Sequence, residues 1–441
     1  AIGLGAWLAF GCSSSTSSAV VEASSSSSAS SLPAPPPPPA PPPPPPVAPA
    51  PVASDRNLVL ITIDTLRTDV GFMGYPLGTT PNLDALAARS TVFDRAYAMA
   101  SYTGKSVGPT MIGRYPSECA RDGAHLDTYF ASNTFLAERL RAAGFYTMGA
   151  ASHWYFEPQF GLAQGMFEWD VSAVPPGPIA NADLYATSQQ LTDAALLLLA
   201  EPGATDGRFF LWVHYLDPHA LYLPHPGAPD FRPRTKTVAR SSYDGEVWFT
   251  DHHIGRLLDA IASQPWGART AIVVTADHGE AFDEHGMSWH GGDLWDVLVH
   301  VPLLVYVPGV KPHHVAVRRS LIDLVPTLLD LMGVAQPPAG ELSGESTATA
   351  IVAPDEVNLD ERDILMDMPS GPKLLGRRAL ITGPGPGMKI MAEVGPLFLV
   401  FDLARDPNEL SDLSRDRALL ALLRGSLDEK QATLHEIGRS R

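Results

Sequence analysis

Apolar runs that stop at a carboxylate set the frame of this chain. Asn57 to Ile63 (NLVLITI) is continuously apolar and β-rich, the pattern of a strand buried on both faces, and it stops at Asp64. Ala271 to Thr275 (AIVVT) repeats the pattern and runs out at Asp277-His278. Phe209 to Tyr215 does so again, ending at Asp217-Pro218-His219. Phe145 to Ala150 and Leu303 to Val307 read as further strands. Between these runs the apolar positions take helical spacing. Thr80-Pro81 reads as an N-cap and first helical residue, with Leu83, Leu86 and Ala87 on one face. Helical patterns also cover Thr134 to Ala143, stopped at Gly144, and Leu191 to Ala200. Two more cover Tyr243 to Ser263, with Ile254, Leu257, Leu258 and Ile261 inward, and Ser320 to Met332. Strands alternating with helices predict an α/β fold with a mainly parallel sheet flanked by helices.

The two ends depart from this pattern. After Val334, Pro- and Gly-rich segments run to about Gly387. Lys389 to Ala392 and Leu397 to Phe401 then read as a short hairpin, and a charged helix from about Ser414 closes the chain. These predict a small α+β C-terminal subdomain. At the other end, Ser13 to Ser31 is mostly Ser and Ala, and Pro33 to Pro51 is nearly all Pro and Ala. Neither can bury a core, and the Pro run would make a polyproline spacer on the order of 60 Å long. Ala1 to Phe10 is apolar but shorter than a membrane span, and it resembles the core of an export signal. Leu8-Ala9-Phe10-Gly11-Cys12 resembles a bacterial lipobox, with Phe10 bulkier than usual there. The expected division is a signal-like or lipobox-like segment over 1–12 and a disordered tether over 13–54. A main domain over 55–335 and the subdomain over 336–441 follow. The expected location is the bacterial cell envelope, either on a membrane through a lipid on Cys12 or periplasmic or extracellular.

Composition narrows the partners. The 441 residues carry a formal charge of −17, which argues against nucleic acid. An acidic protein acting on an anionic substrate needs local cations. The 45% apolar content fits a globular body. Cys12 and Cys119 are too few for a disulfide framework, and Cys119 reads as a lone thiol without chemistry.

Asp64, Asp217-Pro218-His219 and Asp277-His278 all fall at the C-terminal ends of predicted strands, where open parallel sheets bind ligands. Asp64, Asp277 and His278 together suit one divalent ion. Oxygen ligands favour calcium or magnesium, and the imidazole moves the choice towards manganese or zinc. The loop after Asp277 also holds Glu280, Asp283, Glu284, His285 and His290, denser in acids and histidines than a surface needs. His290 is a stronger candidate than His285. His252-His253 is expected on a solvated helix face, and His313 and His314 in a loop. The other candidate stretch is Ala100-Ser101-Tyr102-Thr103-Gly104-Lys105-Ser106, a hydroxyl and a cation close together. It is not a phosphate-binding P-loop, because Met99 stands where that motif needs its first Gly. An ion held by the two Asp and the His would let Thr103 attack an ester of an anionic acid.

An ordered series of motifs resembles the sulfatase family, within the alkaline phosphatase superfamily. It includes Ile63-Asp64-Thr65-Leu66-Arg67-Thr68-Asp69, Gly113-Arg114-Tyr115-Pro116, Asp217-Pro218-His219, Thr275-Ala276-Asp277-His278-Gly279-Glu280 and His300-Val301-Pro302-Leu303. The likeness runs from residue 57 to about 415. It implies an alkaline-phosphatase-like fold and a nucleophile ten residues before Gly113, at Thr103. Typical members carry there a Cys or Ser, converted to formylglycine within a C/S-x-P-x-R motif. Thr cannot give that aldehyde, Lys105 takes the Pro position and Val107 the Arg position. The resemblance further implies metal ligation by Asp64, Asp277 and His278 with Thr103, and substrate contact by His219. It places His290 where many members have a sulfate-gripping Lys, and Lys105 as a substitute cation. Thr65 stands where many have a second metal-binding Asp. The expected activity is metal-dependent hydrolysis of sulfate esters, of small molecules or glycans, through Thr103. Alternatives are a phosphodiesterase or phosphotransferase using the same residues, and a non-catalytic surface-binding protein.

Overall fold

The computed structural model describes residues 54–125, 127–177, 184–235, 237–356, 359–372, 375–392 and 397–437. The signal-like segment and nearly all of the tether, including Cys12, lie outside the described residues. In chain order the body begins with β1 (Asn57–Ile63), α1 (Pro81–Ala87), β2 (Thr91–Tyr97), α2 (Thr103–Ile112), α3 (Leu136–Ala142), β3 (Tyr146–Ala151) and β4 (Glu168–Asp170). Next come α4 (Ser188–Ala200), β5 (Phe209–Tyr215), α5 (Val238–Ser263), β6 (Thr270–Ala276), and the short pair β7 (Ala281–Phe282) and β8 (Ser288–Trp289). Then come α6 (Asp296–Val299), β9 (His300–Tyr306), β10 (His313–Val315), β11 (Arg319–Ser320), α7 (Leu324–Leu331) and α8 (Ala348–Val352). The C-terminal part holds β12 (Ile364–Met368), β13 (Arg377–Thr382), β14 (Met388–Ala392), β15 (Phe398–Asp402) and α9 (Arg417–Gln431).

Among the described residues the main sheet has nine strands in the order β10-β2-β9-β6-β1-β5-β3-β4, with β11 beside β2. β1 lies at its centre, parallel to β5 and β6, with Thr62 opposite both His214 and Thr275. Every residue of β1, β5 and β6 is buried, which is why these strands read as unbroken apolar runs. β9 alone runs antiparallel to its neighbours β2 and β6. The architecture is the expected mainly parallel sheet flanked by helices. The expected hairpin is two strands of a four-stranded antiparallel sheet, β12-β13-β14-β15, with α9 against β14.

Several elements differ from the sequence reading. The helix expected from Tyr243 starts at Val238, where the Thr237 hydroxyl accepts from the Arg240 amide. The helix expected from Ser320 begins as a single tight turn capped by Ser320, and α7 proper starts at Leu324. His253 is buried rather than solvated, because its ring packs edge-on against Phe249 and accepts from Arg256; of the pair only His252 is exposed. His313 and His314 lie in β10, not in a loop. Cys119 is a buried free thiol whose pKa burial pushes well above the usual range, in keeping with an inert role.

Candidate active site and cation centre

Asp64 and Asp277 leave the ends of β1 and β6 side by side. The Asp64 amide donates to the Tyr215 carbonyl at 2.9 Å, so β5 fixes where β1 ends. The Thr65 amide donates to Asp277 Oδ1 at 3.3 Å, tying the two strand ends together. Thr65 holds φ 57, a costly conformation for a β-branched residue, and its carbonyl accepts from the Tyr243 hydroxyl at 2.9 Å.

Thr103 comes from the other side, as the first residue of α2. All ten residues of that helix are buried. Ser106 Oγ donates to the Asp277 carbonyl at 2.6 Å, and the Tyr129 hydroxyl donates to the Gly104 carbonyl at 2.7 Å. Gly108 is needed for this packing, because a Cβ there would lie 2.4 Å from Tyr129 Cζ. So anchored, Thr103 Oγ1 sits 3.4 Å from Asp64 Oδ2 and 3.2 Å from His278 Nε2. His278 Nε2 is also 3.5 Å from Asp277 Oδ2 and 3.8 Å from Asp64 Oδ1. His278 Nδ1 lies 2.9 Å from the Gly279 carbonyl and must donate to it, so the Nε2 of a neutral ring presents a lone pair to the cluster. Thr103, Asp64, Asp277 and His278 therefore meet, as the sequence expected.

The electrostatics fit a cation. Asp64 Oδ1, Asp277 Oδ2, Thr65 Oγ1 and His214 Nε2 are buried with no hydrogen-bond partner. Buried acceptors facing one another without donors are costly alone and suit a divalent ion. Burial pushes the Asp64 carboxyl up, but the neighbouring His214, His219 and His278 imidazoles outweigh it and leave Asp64 well below its usual value. Asp277 goes the other way, raised by burial and then by the negative Asp64 beside it. Oxygens of these two carboxylates and a ring nitrogen of His214 lie within 4.8 Å of one another.

An arc of imidazoles continues outward. The His290 ring lies 4.5 Å from that of His278, His219 lies 4.8 Å from His290, and His153 lies 6.1 Å from His219. His290 Nδ1 is 3.1 Å from Glu280 Oε1, while Glu280 Oε2 accepts from the Tyr222 hydroxyl at 3.0 Å. Burial takes the His153 pKa down to about 3, so that ring is neutral; its Nδ1 accepts from the Tyr155 amide. Lys105 departs from its expected post. Its buried ammonium pairs with Asp127 at 3.0 Å, and Arg121 holds the other carboxylate oxygen at 2.6 Å. Asp217 caps α4 by accepting from the Thr187 and Ser188 amides. His285 stacks on Trp295 at 3.8 Å.

Sequence reasoning missed His214, His153 and the Asp127 partner. A signal existed for His214, the one imidazole within the apolar run FFLWVHY. None marked His153 or Asp127, which reach the site from irregular segments.

Comparison with known proteins adds to this geometry. A sequence model described as Sulfatase matches residues 56–334. Human iduronate 2-sulfatase is 26% identical over 386 residues, covering 64% of this chain and 70% of that protein. The choline-sulfatase of Rhizobium meliloti (strain 1021) is 24% identical over 353 residues, covering 63% and 68%. Among solved structures, the phosphonate monoester hydrolase of Agrobacterium radiobacter superposes with a TM-score of 0.67 at 20% identity, covering 86% of this chain and 95% of that one. This last likeness concerns the fold.

Proposed function

We propose, for a chain that belongs to the sulfatase family and is accordingly a sulfuric ester hydrolase, that Thr103 is the nucleophile of a cation-dependent hydrolysis. The observation that carries this is the Thr103 hydroxyl, buried within 3.4 Å of both Asp64 and His278. One divalent ion, calcium, manganese or zinc, would be held by Asp64, Asp277 and His278 beside Thr103. Bound there, it would supply Lewis acidity that favours the Thr103 alkoxide and neutralises ester oxygens.

The chain's own groups do the rest. The hydroxyl proton leaves toward Asp64 Oδ2, the carboxylate oxygen that faces it. Thr103 Oγ bonds to sulfur in line with the departing ester oxygen, whose S–O bond breaks. His290, braced by Glu280, gives that oxygen its proton, and His219 flanks the non-bridging oxygens. The N-terminus of α2 adds its positive dipole end at Thr103. Lys105 and Asp127 hold the first turn of α2 in place, and the Lys105 charge reaches substrate only when that pair opens. Water, or an acceptor alcohol, then releases Thr103 from its ester.

The sulfate ester is of a small molecule or a glycan, in line with the choline- and iduronate-directed relatives. A second reading, displacement at phosphorus, is favoured by the threonine at position 103, whose β-branched hydroxyl gives no formylglycine. The division at residues 54 and 335 and export to the cell envelope, with Cys12 as lipid anchor, belong to the same proposal. Among the described residues, no helix is long and apolar enough to cross a membrane. The test compares aryl sulfate, aryl phosphate and phosphodiester as substrates of the metal-loaded protein and of Thr103→Ala. Turnover that disappears in Thr103→Ala while metal content stays supports the nucleophile, and the preferred ester decides between the readings. Unchanged turnover refutes the role of Thr103, and a wild type inactive on all three esters favours a surface-binding protein.

A further inference from the structure

We propose that His214 is itself a ligand of the cation, and that the site therefore selects a zinc-class transition ion over calcium or magnesium. This rests on the reading of Asp64 and Asp277 as cation ligands. β5 is buried throughout, and His214 is wholly inaccessible within it. Its register partner on β1 is Thr62, and alternation along the strand puts Asp64 on the same face as Thr62. The imidazole is held on two sides. Its Nδ1 lies 2.7 Å from Thr62 Oγ1, that oxygen also accepts from Trp212 Nε1 at 3.0 Å, and the Phe156 ring stacks on the imidazole at 4.2 Å. Thr62 Oγ1 has two lone pairs, enough to accept from both Trp212 and His214 Nδ1. That tautomer leaves the His214 Nε2 lone pair pointing at the cluster. Nε2 has no hydrogen-bond partner and lies 3.7 Å from Asp64 Oδ2, beyond hydrogen-bond length.

His278 presents a second ring nitrogen to the same carboxylates from the end of β6, on the other side of β1. Two carboxylates and two imidazoles, each ring braced through its other nitrogen, match the donors of zinc and its neighbours. Calcium instead takes six to eight oxygens, and magnesium keeps several waters. A purely structural His214 would donate Nε2–H to Asp64 and bind nothing, and it would leave the choice of ion to oxygens.

The test uses chelator-stripped full-length protein, titrated with Zn²⁺ and with Ca²⁺ against a competing chromophoric chelator. X-ray absorption of the zinc-loaded form counts imidazole ligands. Wild type should hold one zinc far more tightly than calcium, with two imidazoles in the spectrum. His214→Gln should weaken zinc more than about 100-fold, beyond what losing an outer-layer partner costs, and drop the count to one. Thr62→Val keeps the ring but removes its brace, and should weaken zinc about 10–100-fold with both imidazoles retained. Melting of the metal-free variants confirms that they fold. An unchanged imidazole count in a folded His214→Gln, or calcium bound as tightly as zinc, overturns the inference. A wild type that binds neither ion overturns the underlying reading of the site instead.

Discussion

Replacing Asp217 separates a catalytic carboxylate from a structural one. The sequence groups it with His219 at a strand end, yet its oxygens accept from the Thr187 amide at 2.9 Å and the Ser188 amide at 2.7 Å. The hydroxyls of Thr187 and Ser188 bond to it as well, but each has a second partner within 3.1 Å, Ser152 and Thr250. Asp217→Ala therefore orphans two buried amides at the start of α4. At roughly 1–3 kcal/mol each, the cost is about 4 kcal/mol. Asp217→Asn keeps one acceptor oxygen and should cost about half as much. For a body of this length, unfolding entropy is on the order of 0.8 kcal/mol per degree, so Asp217→Ala should lower the melting temperature by about 5 °C. Differential scanning fluorimetry reads this, alongside kcat on an aryl sulfate well below the melt. Turnover per folded molecule should stay within about tenfold of wild type, a smaller loss than removal of a group acting in the transition state. An unchanged melt with kcat lowered about 1,000-fold would refute the capping role and return Asp217 to the chemistry.

Other perturbations probe different links. Gly108→Ala forces a Cβ into the Tyr129 ring, and overpacking of this kind costs about 1–3 kcal/mol; kcat should fall while KM changes little, because α2 carries Thr103. Lys389 pairs with Glu409 at 2.5 Å, with both side chains essentially buried, so Lys389→Met alone should cost about 3–5 kcal/mol in urea unfolding, and adding Glu409→Leu should recover most of it. His290→Ala should lower kcat about 10²–10⁴-fold on an alkyl sulfate but far less on a nitrophenyl sulfate, whose leaving oxygen needs no proton; equal losses on both would remove the general-acid role.

The parts of the chain that one strand or helix buries by itself were legible. β1 and β6 are apolar to their last residue and then break at Asp64 and Asp277, so both the strands and the polar ends were visible. α2 was not. Gly104, Gly108 and Pro109 are poor helix formers, and the helix exists because Tyr129, Asp277 and the rest of the core enclose all of it. β12 carries Asp367 in a buried run, which reads as a loop residue until its partners Ser117 and Arg378 are known. The paired state of Lys105 was hidden for the same reason, since Asp127 meets it only in space. Thr103, Asp64, Asp277, His278, His219 and His290 were all named from the sequence. His214 was overlooked because an apolar strand was read as framework throughout.

The central claim is that the group transferred resides for a time on Thr103. Rapid quenching of the metal-loaded protein with excess aryl sulfate, then digestion and mass spectrometry, tests it directly. The peptide spanning Thr103 should carry the mass of one sulfuryl group during turnover and none after substrate is exhausted. Burst release of the phenol with Thr103 left unmodified at every quench time would contradict it.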